Sequence, residues 1–129
     1  MSHFSRITTS ITDLKILQQS LKDLDFDYST KNSHLQDGNG NLEPVDIIVK
    51  KNDKNIMGFV WNGKEYTFIS DFDLWQNHHD IYPENIIEKI LQQYAINSII
   101  DVSHNEGFQA IDRETLKDGS IKLTVQRWN

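Results

Sequence analysis

The chain contains no cysteine, which excludes disulfides, thiolate metal sites and cysteine nucleophiles. Positive charge is scarce: 13 Lys and Arg stand against 19 Asp and Glu, for a formal net charge of −6. A nucleic-acid footprint needs a basic face to displace counterions, so this balance argues against one. No apolar run approaches the roughly eighteen residues of a membrane span. The opening MSHFSRITTSIT lacks the apolar core of a secretory signal, and Arg6 is its only strong base, so it does not read as a transit peptide either. Alanine is almost missing, with Ala95 and Ala110 alone, while Ile and Asn abound and Lys outnumbers Arg. AT-rich codons produce that bias, which suggests an organelle or a low-GC bacterium as the source.

What is present describes an ordinary folded protein. At 129 residues, with 37% hydrophobic and 25% charged, one domain over 1–129 with a genuine core is expected. The organising stretch is Ile56–Asp71, two apolar runs about Asn62-Gly63. Asn-Gly favours a type I′ turn, because both central residues there need positive φ. A two-residue loop would set Trp61 opposite Lys64, Phe59 opposite Tyr66 and Met57 opposite Phe68, all on one face. Ile56, Val60, Thr67 and Ile69 would then share the other face.

Around this hairpin the chain alternates between strand and helix patterns. Phe4–Ile11 alternates as a strand, and Thr12 is placed to cap a helix with Asp13 in its first turn. Leu14, Leu17, Leu21 and Leu24 recur at helical spacing. Phe26–Thr30 reads as a short strand, Asn32–Pro44 as a mobile surface loop, and Val45–Lys50 as a half-buried strand. Pro83 opens a second helix whose apolar stripe is Ile87, Ile90, Leu91, Tyr94, Ala95, Ile99 and Val102, with Gly107 as its left-handed stop. Phe108–Leu116 and Ser120–Trp128 form a closing hairpin. A three-residue loop over Lys117–Gly119 pairs Ile111 with Val125, Arg113 with Leu123 and Glu114 with Lys122. The implied class is α+β: a two-layer domain with an antiparallel sheet and two amphipathic helices on one face, a ferredoxin-like variant among the arrangements that fit.

Three stretches carry a family resemblance: MSHFSRITTSITDLKILQQSLKDLDF at the start, GFVWNG in the central hairpin, and GFQAIDRETLKDGSIKLTVQRW at the end. They resemble the hypothetical chloroplast open reading frame 35 family (domain of unknown function 1257) of algal plastids and cyanobacteria. The likeness covers nearly the whole chain and is weakest over Asn32–Pro44. It implies a soluble protein of the plastid stroma, or of the cytoplasm if cyanobacterial. It implies no catalytic residue and no cofactor.

The candidates for chemistry are few. His78, His79 and Asp80 hold metal-ligand atoms, yet adjacent residues diverge on any regular element, so a solvated loop outweighs a metal site. Ser, His and Asp occur without any nucleophile motif. Glu84 and Glu88 share a helix face without an opposing acid pair, and read as a solvated edge. Asp23, Asp25 and Asp27 surround a helix end but lack the spacing of a calcium loop, and read as a solvated helix end. Trp61, Tyr66, Trp75 and Tyr82 read chiefly as core. Arg127 and Trp128 stand together on the last strand, an aromatic beside an arginine, which is the composition of an interface anchor. Two functions follow from different classes. A non-catalytic accessory protein would receive a protein partner, or a second copy, along that strand. The alternative is a small enzyme or ligand- or metal-binding domain with the connection 71–82 as its pocket wall.

Overall fold

A computed structural model describes residues 4–31, 33–51, 53–71 and 83–127. In chain order the elements are β1 (Ser5–Thr8), α1 (Leu14–Asp23), β2 (Asp27–Ser29), β3 (Ser33–Gln36), β4 (Leu42–Val45), β5 (Ile47–Lys51), β6 (Lys54–Trp61), β7 (Tyr66–Ser70), α2 (Pro83–Asn105), β8 (Phe108–Thr115) and β9 (Ile121–Arg127). Five strands form one sheet in the order β1-β7-β6-β5-β2, while β3-β4 and β8-β9 are separate two-stranded sheets. The fold is α+β, with both helices on one face of the five-stranded sheet. Every neighbouring pair in that sheet is antiparallel. The all-antiparallel pairing is shared with ferredoxin-like sheets, but the chain order departs from βαββαβ, since α2 is followed by β8 and β9, which form a sheet of their own.

The central hairpin forms where the apolar pattern puts it, but its register differs from the expected one by two residues. Trp61 pairs with Tyr66, Phe59 with Phe68 and Gly58 with Ile69. The turn is therefore centred on Gly63-Lys64. Asn62 stands at its base and donates its N–H to the Glu65 carbonyl at 3.0 Å. The Asn62 side-chain oxygen accepts from the N–H groups of Lys64 and Glu65, both at 2.9 Å. This side-chain turn is what moves the loop one residue along from Asn-Gly. Gly63 alone supplies the positive φ, at +98°. Because the shift is even, each side chain keeps its predicted face. Met57, Phe59, Tyr66 and Phe68 go under the helices, and Ile69 and Val60 go to the opposite side. The exception is Ile56, which the structure packs on the helix side. It is the extra residue of a bulge, since Val49 pairs with Met57 and Lys50 with Asn55.

The helix α1 begins one residue later than predicted. Asp13, not Thr12, is the N-cap, accepting from the Ile16 N–H at 3.1 Å. Leu17 and Leu21 are fully buried against Ile47, Val49, Met57, Phe59 and Phe68. The helix ends in a Schellman turn. Phe26 N–H reaches the Leu21 carbonyl at 2.9 Å and Asp25 N–H the Lys22 carbonyl at 3.0 Å, with Asp25 left-handed at φ 63° where glycine is commoner.

The stretch Asn32–Pro44, expected to be an irregular loop, is instead mostly the β3-β4 hairpin. Its buried-exposed alternation puts Ser33 and Leu35 inward and His34 and Gln36 outward. Leu35, 2% exposed, joins Val45, Ile48 and Ile69 in a second core on the sheet face away from the helices. This cover explains why Ile47, Ile48 and Val49 are all buried, where alternation predicted a strand wet on one side. The tip is closed by Asp37. One of its carboxylate oxygens accepts from the N–H groups of Asn39 and Asn41, at 2.9 and 2.8 Å, and the other from the Asn41 amide at 2.9 Å. The Gly38 N–H donates to buried Asp71 at 2.8 Å, clamping the tip to the end of β7.

Beyond the sheet, α2 runs 23 residues, about 35 Å. Its first half packs through Ile87 and Ile90. Its buried stripe then passes through Gln93 and Ile96, and leaves Ala95, Ile99 and Val102 exposed, contrary to the predicted stripe. Gly107, at φ +89°, ends the helix as expected. The β8-β9 loop spans Lys117–Gly119, with Leu116 N–H on the Ser120 carbonyl at 2.8 Å and Gly119 at φ +88°. Arg113 pairs with Leu123 and Glu114 with Lys122, as predicted, while a bulge at Ile111 hands Val125 to Ala110 instead.

Two substitutions check this architecture. A β-carbon on Gly58 would lie 2.7 Å from Val45 Cγ1 and 3.2 Å from the Ile47 carbonyl. Gly58→Ala should therefore cost about 1–3 kcal/mol as overpacking in a urea melt, with Val45→Ala in the same chain recovering part of it. Gly63→Val has open space around it, yet should cost more than ~1 kcal/mol, because a β-branched residue is strained at that positive φ. An unchanged urea midpoint for Gly63→Val would mean that the turn does not hold its φ.

Candidate functional site

The sequence-predicted residues fall into three groups. His78, His79 and Asp80, together with Trp75, Tyr82 and Trp128, lie outside the described residues. Only Asp71 of the 71–82 connection is described, and it is engaged with the β3-β4 tip. The side chain of Glu84 is likewise outside, and Glu88 is exposed. Among the described residues, no group of three or more His, Cys, Asp or Glu is placed to hold a metal ion.

Arg127 is exposed and is the last residue of β9, paired in register with Phe108. The β8-β9 hairpin folds back along α2, and its turn is tied there by the Gln92 side-chain amide, which donates to the Gly119 carbonyl at 2.9 Å. Within the turn, Asp118 accepts from the Ser120 N–H at 2.9 Å and from its hydroxyl, which holds the carboxyl below its usual range. Among the described residues, neither strand of this hairpin pairs with the five-stranded sheet. On α2, Ile99 and Val102 are 51% and 55% exposed.

Asp23 is exposed at the end of α1, as expected of a solvated helix end, and is also the hub of a polar clasp between the helices. Its carboxylate accepts from Gln19 at 2.8 Å, Asn97 at 2.9 Å and Gln93 at 3.2 Å. Asn97 also donates to the hydroxyl of fully buried Ser20 at 3.0 Å. Asp25 serves the Schellman turn, and Asp27 is exposed on β2. These groups brace the fold. A polar residue such as Gln93 inside an apolar stripe was the available signal for the clasp.

Sequence reasoning missed a cluster at the other end of the sheet. Tyr66 is buried, and its ring meets that of Trp61 edge-to-face, with centroids 5.0 Å apart. Tyr94, from α2, accepts the N–H groups of Thr12 and Asp13 at 3.2 and 3.0 Å, binding the start of α1 to that corner. Burial, followed by the negative charges of Asp46 and Asp13, raises the Tyr66 pKa above 10.0. Only the pairing of Trp61 with Tyr66, two residues from the register that Asn-Gly suggested, assembles this group.

Against this geometry the comparisons with known proteins can be set. The family described as "Protein of unknown function (DUF1257)" matches residues 20–124. The chain belongs to this family. It is 40% identical over 129 residues to "Uncharacterized protein ycf35" of Pyropia yezoensis, covering 100% of this chain and 99% of that one. The ycf35 protein of Guillardia theta is 37% identical over 128 residues, covering 99% and 98% respectively. That of Cyanophora paradoxa is 33% identical over 128 residues, with the same coverage. No solved structure matches the chain at a significant level. The match to DUF1257 runs from the last turn of α1 to the middle of β9, so it takes in Ser20, Asp23, Gln93 and Asn97 of the clasp, Asp46, Trp61, Tyr66 and Tyr94 of the corner and most of the C-terminal hairpin, while Thr12, Asp13 and Gln19 precede it. Among the described residues, no helix is long and apolar enough to cross a membrane.

The Tyr66 environment makes a pH prediction. A raised pKa means that the unfolded chain loses this proton first, so the folded protein holds more protons above pH 10. Stability from this group is complete below the ordinary value of 10.0 and falls as pH climbs from there through the raised folded value. Asp46→Asn should bring the Tyr66 titration, followed by tyrosinate absorbance, back toward 10.0. An unmoved titration would show that Asp46 does not act on Tyr66.

Proposed function

We propose that this protein is a non-catalytic accessory domain of the plastid that binds a protein partner, or a second copy of itself, along its C-terminal hairpin. The observation that carries this reading is the separation of β8-β9 from the main sheet. Each strand of that hairpin has one edge that no described strand occupies. Unpaired edge groups can be extended by an incoming strand, with neighbouring side chains supplying specificity. Arg127 is exposed at the end of β9, and the exposed Ile99 and Val102 offer apolar surface on the helix beside it. Arginine and large apolar side chains are the groups that concentrate binding energy at interfaces. The use of the buried acids also supports the reading. Asp37 and Asp71 hold the β3-β4 tip, and every described buried side-chain polar atom has a partner within the fold. The plastid setting is supported by the ycf35 relatives in algae.

The test is a paired measurement on Arg127→Glu and Trp128→Ala. Each should weaken partner recovery from plastid lysate, or self-association in the ultracentrifuge, by about tenfold or more. The urea midpoint of Arg127→Glu should stay close to that of the wild-type protein, because an exposed strand-end charge contributes little to stability. Undiminished association of Arg127→Glu at an unchanged midpoint would move the interface away from this strand.

A further inference from the structure

The corner at which β6 ends carries an exposed aromatic, with two exposed carboxylates close by that form no ion pair among the described residues. Trp61 closes β6 and is 42% exposed, although it rests on buried Tyr66. Its backbone N–H donates to Asp46 Oδ2 at 2.6 Å, which fixes that carboxylate beside the strand. The link from β1 to α1 passes along Tyr66. Tyr66 N–H donates to the Ile11 carbonyl at 2.8 Å, and the Thr9 hydroxyl donates to the Tyr66 carbonyl at 2.6 Å. That link delivers Asp13 to the same corner, where Tyr94 holds its backbone. Asp13 and Asp46 are both exposed, and among the described residues neither forms an ion pair. That both carboxylates act on the Tyr66 hydroxyl supports their convergence here.

We infer that this corner docks an arginine side chain from a basic segment of a partner protein. Tryptophan is the aromatic that best attracts a cation, and an exposed indole beside two carboxylates offers both halves of a guanidinium's chemistry. The planar guanidinium stacks on an aromatic while its fork of N–H donors reaches a carboxylate, which a lysine ammonium does not do as well. The edge-to-face contact with Tyr66 orients the indole before any partner arrives, which reduces the side-chain freedom lost on binding. The net charge of −6 favours a cationic partner over an acidic one. None of the residues of this corner belongs to the C-terminal hairpin, so the two readings succeed or fail on different residues.

The probe is a labelled short peptide of alternating Arg and Gly, followed by fluorescence anisotropy at physiological salt. Peptides with Lys or Glu in place of Arg serve as comparisons. The Arg peptide should bind best. Trp61→Ala should weaken it at least about fivefold, and Arg127→Glu should leave it unchanged. Asp46→Asn keeps an acceptor for the Trp61 N–H, and Asp13→Ser keeps a helix cap. The two together should weaken binding by a similar factor, and they test the site even if Trp61→Ala fails to fold. Equal binding by folded Trp61→Ala and wild-type protein would reduce the effect to diffuse attraction by an acidic chain and overturn the inference. Lys and Arg peptides binding alike would overturn it as well. So would Trp61-dependent self-association without peptide binding, which would make the occupant a second copy.

Discussion

Phe59 and Phe68 face each other across the two central strands, their rings edge-to-face with centroids 5.6 Å apart. Both are fully buried, and the rest of the helix-side core is arranged around them. Burying a side chain of this size is worth about 1.5–3 kcal/mol, and the edge-to-face geometry adds about 0.5–1.5 kcal/mol. The pair also fixes register. A sheet whose two central strands are locked by a direct aromatic contact leaves the outer strands one alignment each. Leu17 and Leu21 from α1, and Ile87 and Ile90 from α2, then meet the same apolar surface. The two helices are held to one another by something different, the Asp23 clasp with Gln93, Asn97 and Ser20. Apolar packing sets how deeply the helices sit. Directional hydrogen bonds set how they align.

The opposite face of the sheet depends on a close approach. Gly58 on β6 has no side chain, and Val45 at the end of β4 occupies the space that one would take. Asp46 is the single residue between β4 and β5, and its N–H donates to the Phe59 carbonyl at 2.9 Å. The chain therefore leaves the five-stranded sheet at that residue and lays β3-β4 over Ile48 and Ile69. Asp46 also accepts from the Trp61 N–H. One aspartate thus marks the divergence of the two sheets and carries half of the charge at the Trp61 corner.

Much of this was legible in the residues themselves. The two helices, the central hairpin, the face of nearly every residue in it, the three-residue loop ending at Gly119 and the α+β class all follow from periodicity and turn chemistry. The β3-β4 hairpin escaped because the glycine and asparagine content of 32–44 outweighed the alternation of Ser33, Leu35, Glu43 and Val45. Each strand there is only four residues long, too short for alternation to stand out against a run of turn-forming residues. The predicted site residues His78, His79, Asp80 and Trp128 lie outside the described residues, and Arg127 is exposed on β9. The Trp61 corner was not legible, because three of its members are far apart in the chain and meet only through pairing and helix docking.

The sequence alone determined which side chains are apolar, how often they recur, and which residues can take a positive φ. These are local properties, and they specify elements and faces because the periods of helix and strand are set by backbone geometry. Membership in DUF1257 also follows from the sequence alone. The tertiary structure decided the alignments between elements: the two-residue register shift at Asn62, the burial of Ile48 beneath β3-β4, and the exposure of Ile99 and Val102 at the far end of α2. Each depends on what lies across from a residue rather than beside it. The two backbone N–H groups that donate to the Asn62 side-chain oxygen outweighed the preferred dipeptide turn. A hairpin hidden among glycines covered a face expected to be wet. A helix longer than the surface beneath it left its last apolar residues without cover among the described elements.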